Sequence, residues 1–104
     1  MGETFSRYDA AEYLKSEEEM TLYLDACLAE GDPALVTHAL GVIARARGMS
    51  QLALDAGISR EGLYRALSAD GNPEFATVMK VIQALGLKLH AEAASPLESS
   101  AAPR

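Results

Sequence analysis

Hydrophobic positions repeat at helical spacing through most of the chain. Met20, Tyr23, Leu24, Cys27 and Leu28 fall at i, i+3, i+4, i+7 and i+8, so one apolar stripe runs down a helix ending near Glu30. Ser16 followed by three glutamates predicts a capping box at its start, with Ser16 and Glu19 exchanging hydrogen bonds. Gly31 stops it. A shorter helix over residues 9–14, with Asp9 as its N-cap, is predicted to precede it. Asp32 and Pro33 then open a third helix, cap first and proline at the first helical position. Leu35, Val36, Ala39, Leu40, Ile43 and Ala46 keep the period until Gly48. His38 lies off that apolar line and reads as a surface or boundary residue rather than a ligand. Arg45 and Arg47 fall in the last turn, where a cation either favours the helix dipole or meets a phosphate.

The next stretch, MSQLALDAGISREGLYRAL (49–67), holds two short amphipathic runs hinged at Gly57. Ser50 is predicted to cap a helix over residues 51–56 and Ser59 a second over 60–67. After a turn at Asp70 and Gly71, Asn72 and Pro73 predict another capped start. Phe75, Val78, Met79, Ile82 and Leu85 supply that helix's apolar face, and Gly86 its stop. LKLHAE (87–92) alternates apolar and polar positions, which leaves open a short C-terminal strand. A lone strand needs a partner, and the simplest is its copy in a second protomer, paired through Leu87, Leu89 and Ala91. The Pro/Ser/Ala-rich ASPLESSAAPR (94–104) reads as a disordered tail. The expectation is an all-α chain in three parts: an N-terminal helical extension over 1–32, a domain over 33–92 and a tail over 93–104.

The two hinged runs meet the requirements of a helix-turn-helix. Two steeply crossing helices need a left-handed residue between them, which Gly57 supplies, and a small residue at the crossing, which Ala53 supplies. Leu52, Ala56, Ile58, Leu63 and Ala66 are apolar at the positions that must be buried. Helices this short are marginal alone. The helix before them and the helix after them offer faces to bury against, so residues 34–85 resemble the lambda-repressor-like fold. That resemblance implies that the second helix enters the DNA major groove by its N-terminal residues. The reading helix would start at Ser59, with Arg60, Glu61, Tyr64 and Arg65 facing outward. Arg60 would pair with a guanine edge, worth about 1–3 kcal/mol of discrimination. Glu61 would accept from cytosine or, the favoured reading, pair with Arg65 one turn on. Tyr64 would meet a phosphate or a thymine methyl. Gln51 would reach a phosphate and brace Arg60, and Ser50 with the amides beside it would hold another phosphate. Arg47, Ser68 and Asn72 are further phosphate candidates. Gly62, inside the reading helix, costs about 1 kcal/mol against alanine and reads either as close approach to DNA or as plain tolerance.

Charge complicates this picture, because the 104-residue chain carries a formal net charge of −6. The acids are segregated, however: nine acids and two bases lie in residues 1–32, against six bases and four acids in residues 33–91. The reading segment is therefore mildly basic and the front strongly acidic. A single cysteine excludes an intramolecular disulfide, and with only two histidines there is no zinc cage within one chain. No apolar run is long enough to span a bilayer, and the N-terminus lacks the order of a secretory signal, so a cytoplasmic location is expected with no membrane partner. The first six residues match a loose myristoylation pattern of a kind that recurs by chance. No nucleophile–base pair, Gly-rich phosphate loop or metal cluster supports an enzyme, and no cofactor is expected.

Taken together, AEYL (11–14), the acidic helix ending in EGDP (30–33), IARARG (43–48), SREGLY (59–64) and GNP (71–73) resemble the addiction-module antidote proteins, a group of HigA-related antitoxins. The resemblance covers residues 8–89. It implies a type II antitoxin that neutralises a small basic toxin of the RelE/ParE kind and represses its own operon as a homodimer on double-stranded DNA. The acidic front suits a basic partner, with contacts expected at Tyr13, Glu17, Glu18, Tyr23 and Asp25. The alternative is a stand-alone prophage-type repressor whose front helices only complete the fold.

Overall fold

A computed structural model describes residues 16–94. Their regular structure is helical: α1 (Glu17–Glu30), α2 (Pro33–Arg47), α3 (Met49–Ala56), α4 (Arg60–Ala66) and α5 (Phe75–Ala84). The expected helix over 9–14, with Tyr13, lies outside the described residues, as does the tail from residue 95.

The front caps form as the sequence predicts. Ser16 Oγ accepts from the Glu19 amide at 3.1 Å while the Glu19 carboxylate accepts from the Ser16 amide at 3.3 Å. Gly31, at φ 74°, ends α1, and the Asp32 carboxylate accepts from the Ala34 amide at 3.0 Å to start α2. At the next junction the expectation fails. Gly48, not Ser50, is the N-cap of α3, and no side chain caps that helix. One glycine serves both ends: its amide closes α2 on the Ala44 carbonyl, and its carbonyl accepts from the Leu52 amide. Its φ of 106° is open only to glycine, so two helices abut with no room for a serine cap between them. The start of α5 also differs. Residues 71–74 are irregular, α5 begins at Phe75 behind Glu74, and Asn72 caps nothing. Gly71 is pinned against the end of α4, where a Cβ would collide with the Ala66 carbonyl oxygen. The chain then needs residues 72–74 to climb away, and Pro73 holds Asn72 out of the helical region.

Among the described residues there is no strand, so the pairing expected of Leu87, Leu89 and Ala91 is not seen. The pattern has a different cause. Gly86, at φ 79°, donates to the Gln83 carbonyl and Leu87 donates to Ile82, which together form a Schellman stop. Leu87 is the apolar residue that folds back onto the helix and packs on the core. Leu89 and Ala91 are exposed.

Helix α2 is the hub. Ala39, Leu40, Gly41, Val42, Ile43 and Ala44 are all buried, so the middle of this helix faces protein on every side. The stripe of α1 packs chiefly on α2, through Met20, Leu24 and Cys27, while α3 packs on α2, α4 and α5. Leu63 and Leu67 of the α4 segment and Val81, Ile82 and Leu85 of the α5 segment complete one core. Two apolar expectations shift. Phe75 is 70% exposed because it sits in the first turn of α5, and Val81 takes an inward place instead. Leu28, in the last turn of α1, is also exposed.

Candidate nucleic-acid interface

The turn between α3 and α4 is built from backbone bonds. Gly57, at φ 71°, donates to the Leu54 carbonyl and Ile58 donates to Ala53, a second Schellman stop that turns the chain sharply. Ala53 is 3% exposed, which suits a helix crossing that tolerates only a small side chain. Ser59 then caps α4 by accepting from the Gly62 amide at 2.9 Å. Removing that hydroxyl, as in Ser59→Ala, is expected to cost about 1 kcal/mol of stability, measured as a lower denaturant midpoint at unchanged slope. Gly62 gains an explanation the sequence did not offer. A Cβ there would lie 2.9 Å from Ser59 Oγ, so alanine would crowd the cap it depends on.

With Leu63 and Leu67 buried, α4 turns Arg60, Glu61, Tyr64 and Arg65 outward, followed by exposed Ser68. The expected Glu61–Arg65 pair does not form. Instead the Arg60 guanidinium lies over the Tyr64 ring, 4.9 Å from its centroid, and donates to the phenol oxygen at 3.2 Å. Cation–π attraction plus a hydrogen bond holds this arginine along the helix surface. One of its five donors is used there, which leaves four for another group. Ser68 donates its hydroxyl to the Arg65 carbonyl at 2.9 Å. On α3, Ser50 and Gln51 are exposed in the first turn, where no side chain occupies the leading amides. Gln51 donates to Asp55 at 3.0 Å rather than bracing Arg60.

The two arginines that end α2 part company. Arg47 donates to the Leu85 carbonyl at 3.2 Å, tying the end of α2 to the end of α5 and placing a cation at that helix's C-terminus. It fastens the bundle. Arg45 instead donates to the Gly41 carbonyl at 3.5 Å and lines a cleft of 330 Å³ shared by His38, Tyr64, Leu67 and Ser68. Only the spacing of His38 and Arg45, two turns apart on α2, hinted at this in the sequence.

The acidic face is on α1. Glu17, Glu18 and Asp25 are exposed, and Glu17 reaches toward the end of α5, where a Cβ on Gly86 would lie 3.4 Å from its carboxylate oxygen. Tyr23 is half-buried. Burial pushes its phenol above the ordinary tyrosine value, Cys27 beside it adds to the rise, and nearby Arg45 opposes it. Tyr23 thus belongs partly to the α1–α2 seam. Among the described residues no cluster of histidine, cysteine or carboxylate could hold a metal ion, and no helix is long and apolar enough to cross a membrane.

Comparison with known proteins agrees with the resemblance drawn from the motifs as far as the addiction-module antidote family. The chain is 59% identical over 92 residues to an uncharacterised protein of Haemophilus influenzae, across 88% of this chain and 95% of that one. No solved structure matches it. Residues 4–93 match the family described as "probable addiction module antidote protein". The chain belongs to this addiction-module antidote family.

Proposed function

We propose that this chain is a type II antitoxin that holds a small basic toxin of the RelE/ParE kind on its acidic front and represses its own operon by sequence-specific binding to double-stranded DNA. The observation that carries this reading is the separation of two unlike faces. Acidic α1 packs chiefly on α2, while the exposed row of α4 is borne on α3, so each face can be occupied without displacing the other's support. The α3–turn–α4 unit acts as a helix-turn-helix. Its second helix reads the major groove through Arg60, with Glu61, Tyr64 and Arg65 beside it, and the leading amides of α3 with Ser50 and Gln51 hold a backbone phosphate. Ser59 sets the start of the reading helix, and Ser68 lies at the phosphate edge.

A single protomer brings few cations to DNA, so operator binding is assigned to a homodimer. Leu89 and Ala91 are exposed and available to a second copy, whereas Leu87 is spent on the core. Sedimentation at micromolar concentration tests this; a monomer that still binds operator tightly contradicts it.

Toxin binding is best tested without deleting α1, because Met20, Leu24 and Cys27 are part of the core. Glu18→Lys with Asp25→Lys changes only exposed positions. Co-expressed with the product of the neighbouring reading frame, the double variant is expected to lose neutralisation and to weaken the complex about tenfold or more, with melting temperature and operator affinity retained. Neutralisation that survives the double reversal removes the acidic face from toxin binding. It then favours the stand-alone repressor, a reading for which the burial of the α1 stripe already speaks.

A further inference from the structure

We infer that the cleft between α2 and the end of α4 is a seat for a backbone phosphate of the duplex engaged by α4, with Arg45 as its principal cation; this rests on the DNA-reading role proposed above. The cleft's rim brings together Arg45 and His38 from α2 with Tyr64 and Ser68 from the α4 segment. Arg45, His38 and Tyr64 each carry an N–H or O–H donor, whereas the Ser68 hydroxyl donates to the Arg65 carbonyl. No carboxylate is among the described residues lining the cleft, although acids outnumber bases fifteen to nine in the chain. Gly41, Met49, Leu67 and Ala69 make the cleft's walls largely apolar, and its polar members offer donors that suit an anion better than a cation or a basic peptide.

The size of the opening follows from how the helices meet. Gly41 brings α2 close to the chain at Leu67, where a Cβ on residue 41 would lie 3.2 Å from the Leu67 carbonyl oxygen. Helix α2 and the Leu67 turn therefore approach closely at Gly41, and the cleft of 330 Å³ is lined by Arg45 on the α2 side and Tyr64 on the α4 side. Tyr64 belongs to both surfaces. It lines the cleft, and its hydroxyl accepts from Arg60. When α4 lies in a major groove, phosphates run along its flanks. A phosphate beside Tyr64 falls at this rim, and the seat fixes the depth and tilt at which Arg60 meets base edges. Phosphate contacts of this kind position a protein without selecting sequence.

Salt titration on duplex DNA tests the assignment, using a fragment from upstream of the gene and a scrambled duplex of equal length. Arg45→Gln is expected to weaken binding to both duplexes about equally, by about an order of magnitude near 0.1 M salt. It should also flatten the slope of log K against log salt by about 0.9 per protomer. Arg45→Lys, which keeps the charge, should retain most of the slope. Because Arg45 also contacts α2, a second variant leaves it in place. Ala69→Glu puts a carboxylate at the exposed rim and should weaken both duplexes while the melting temperature holds. Wild-type protein that binds the upstream duplex, with both variants matching it in affinity and slope, overturns the phosphate seat alone. Wild-type protein that binds neither duplex overturns the DNA-reading role and the seat with it.

Discussion

Leu40→Ala is expected to remove about 2–5 kcal/mol of stability, a large share of the roughly 5–15 kcal/mol by which a small domain is stable. Leu40 is 0% exposed and sits at the middle of α2, the helix on which both α1 and α3 pack. Truncating it removes contacts toward both neighbours and leaves a cavity that neither can easily collapse to fill. Chemical denaturation should show a lower midpoint with little change in slope. Leu54→Ala provides the control. That leucine is 75% exposed, and its truncation should change stability by no more than about 0.5 kcal/mol. A Leu40→Ala protein within 1 kcal/mol of wild type, on the scale of point-mutant effects, would mean that α2 is not the hub of the fold.

Arg60→Ala is expected to show the largest functional effect on DNA. A bidentate arginine–guanine pair is worth about 1–3 kcal/mol, and a homodimer on two half-sites would lose it twice. Operator affinity should then fall by at least tenfold, with little loss on scrambled duplex. The Tyr64 stack gives a second readout. Tyr64→Phe keeps the ring but removes the hydroxyl that accepts from Arg60, leaving the guanidinium less restrained. It should cost less than Arg60→Ala and in the same direction. Loss by the same factor on specific and scrambled DNA would reassign Arg60 to a phosphate. That outcome is distinct from the one expected for Arg45, because only Arg60 is assigned to base edges.

What the sequence revealed was mostly local. The Ser16 capping box, the Asp32–Pro33 start, the Ser59 cap and the Gly31, Gly57 and Gly86 stops each depend on a few adjacent residues, and each appears in the structure. The misses came where one residue served two elements or where a distant neighbour decided. Gly48 ends one helix and begins the next, which displaced the Ser50 cap. Leu87 belongs to a helix stop, and its spacing from Leu89 imitates strand alternation. Glu61 and Arg65 satisfy the one-turn rule, yet the helix pairs Arg60 with Tyr64, because an aromatic ring offers a cation both a face and a hydroxyl. Arg45 and Arg47 could not be told apart by position. Their separation follows from Leu85 and Tyr64, which reach the end of α2 only after folding.

Helix α1 is held chiefly by one neighbour and joined to it through Gly31, around which a Cβ would meet nothing within 4 Å. Such a segment opens more readily than a hub buried on every side. Its amides should exchange with deuterium before those of α2, and a protease should find the Gly31 joint first. Cleavage there would strip the acidic face while α3 and α4 stayed on one chain, and it would bare the apolar side of α2. The two proposed activities would then have different lifetimes in the same molecule, with the hold on a basic partner ending before the hold on DNA.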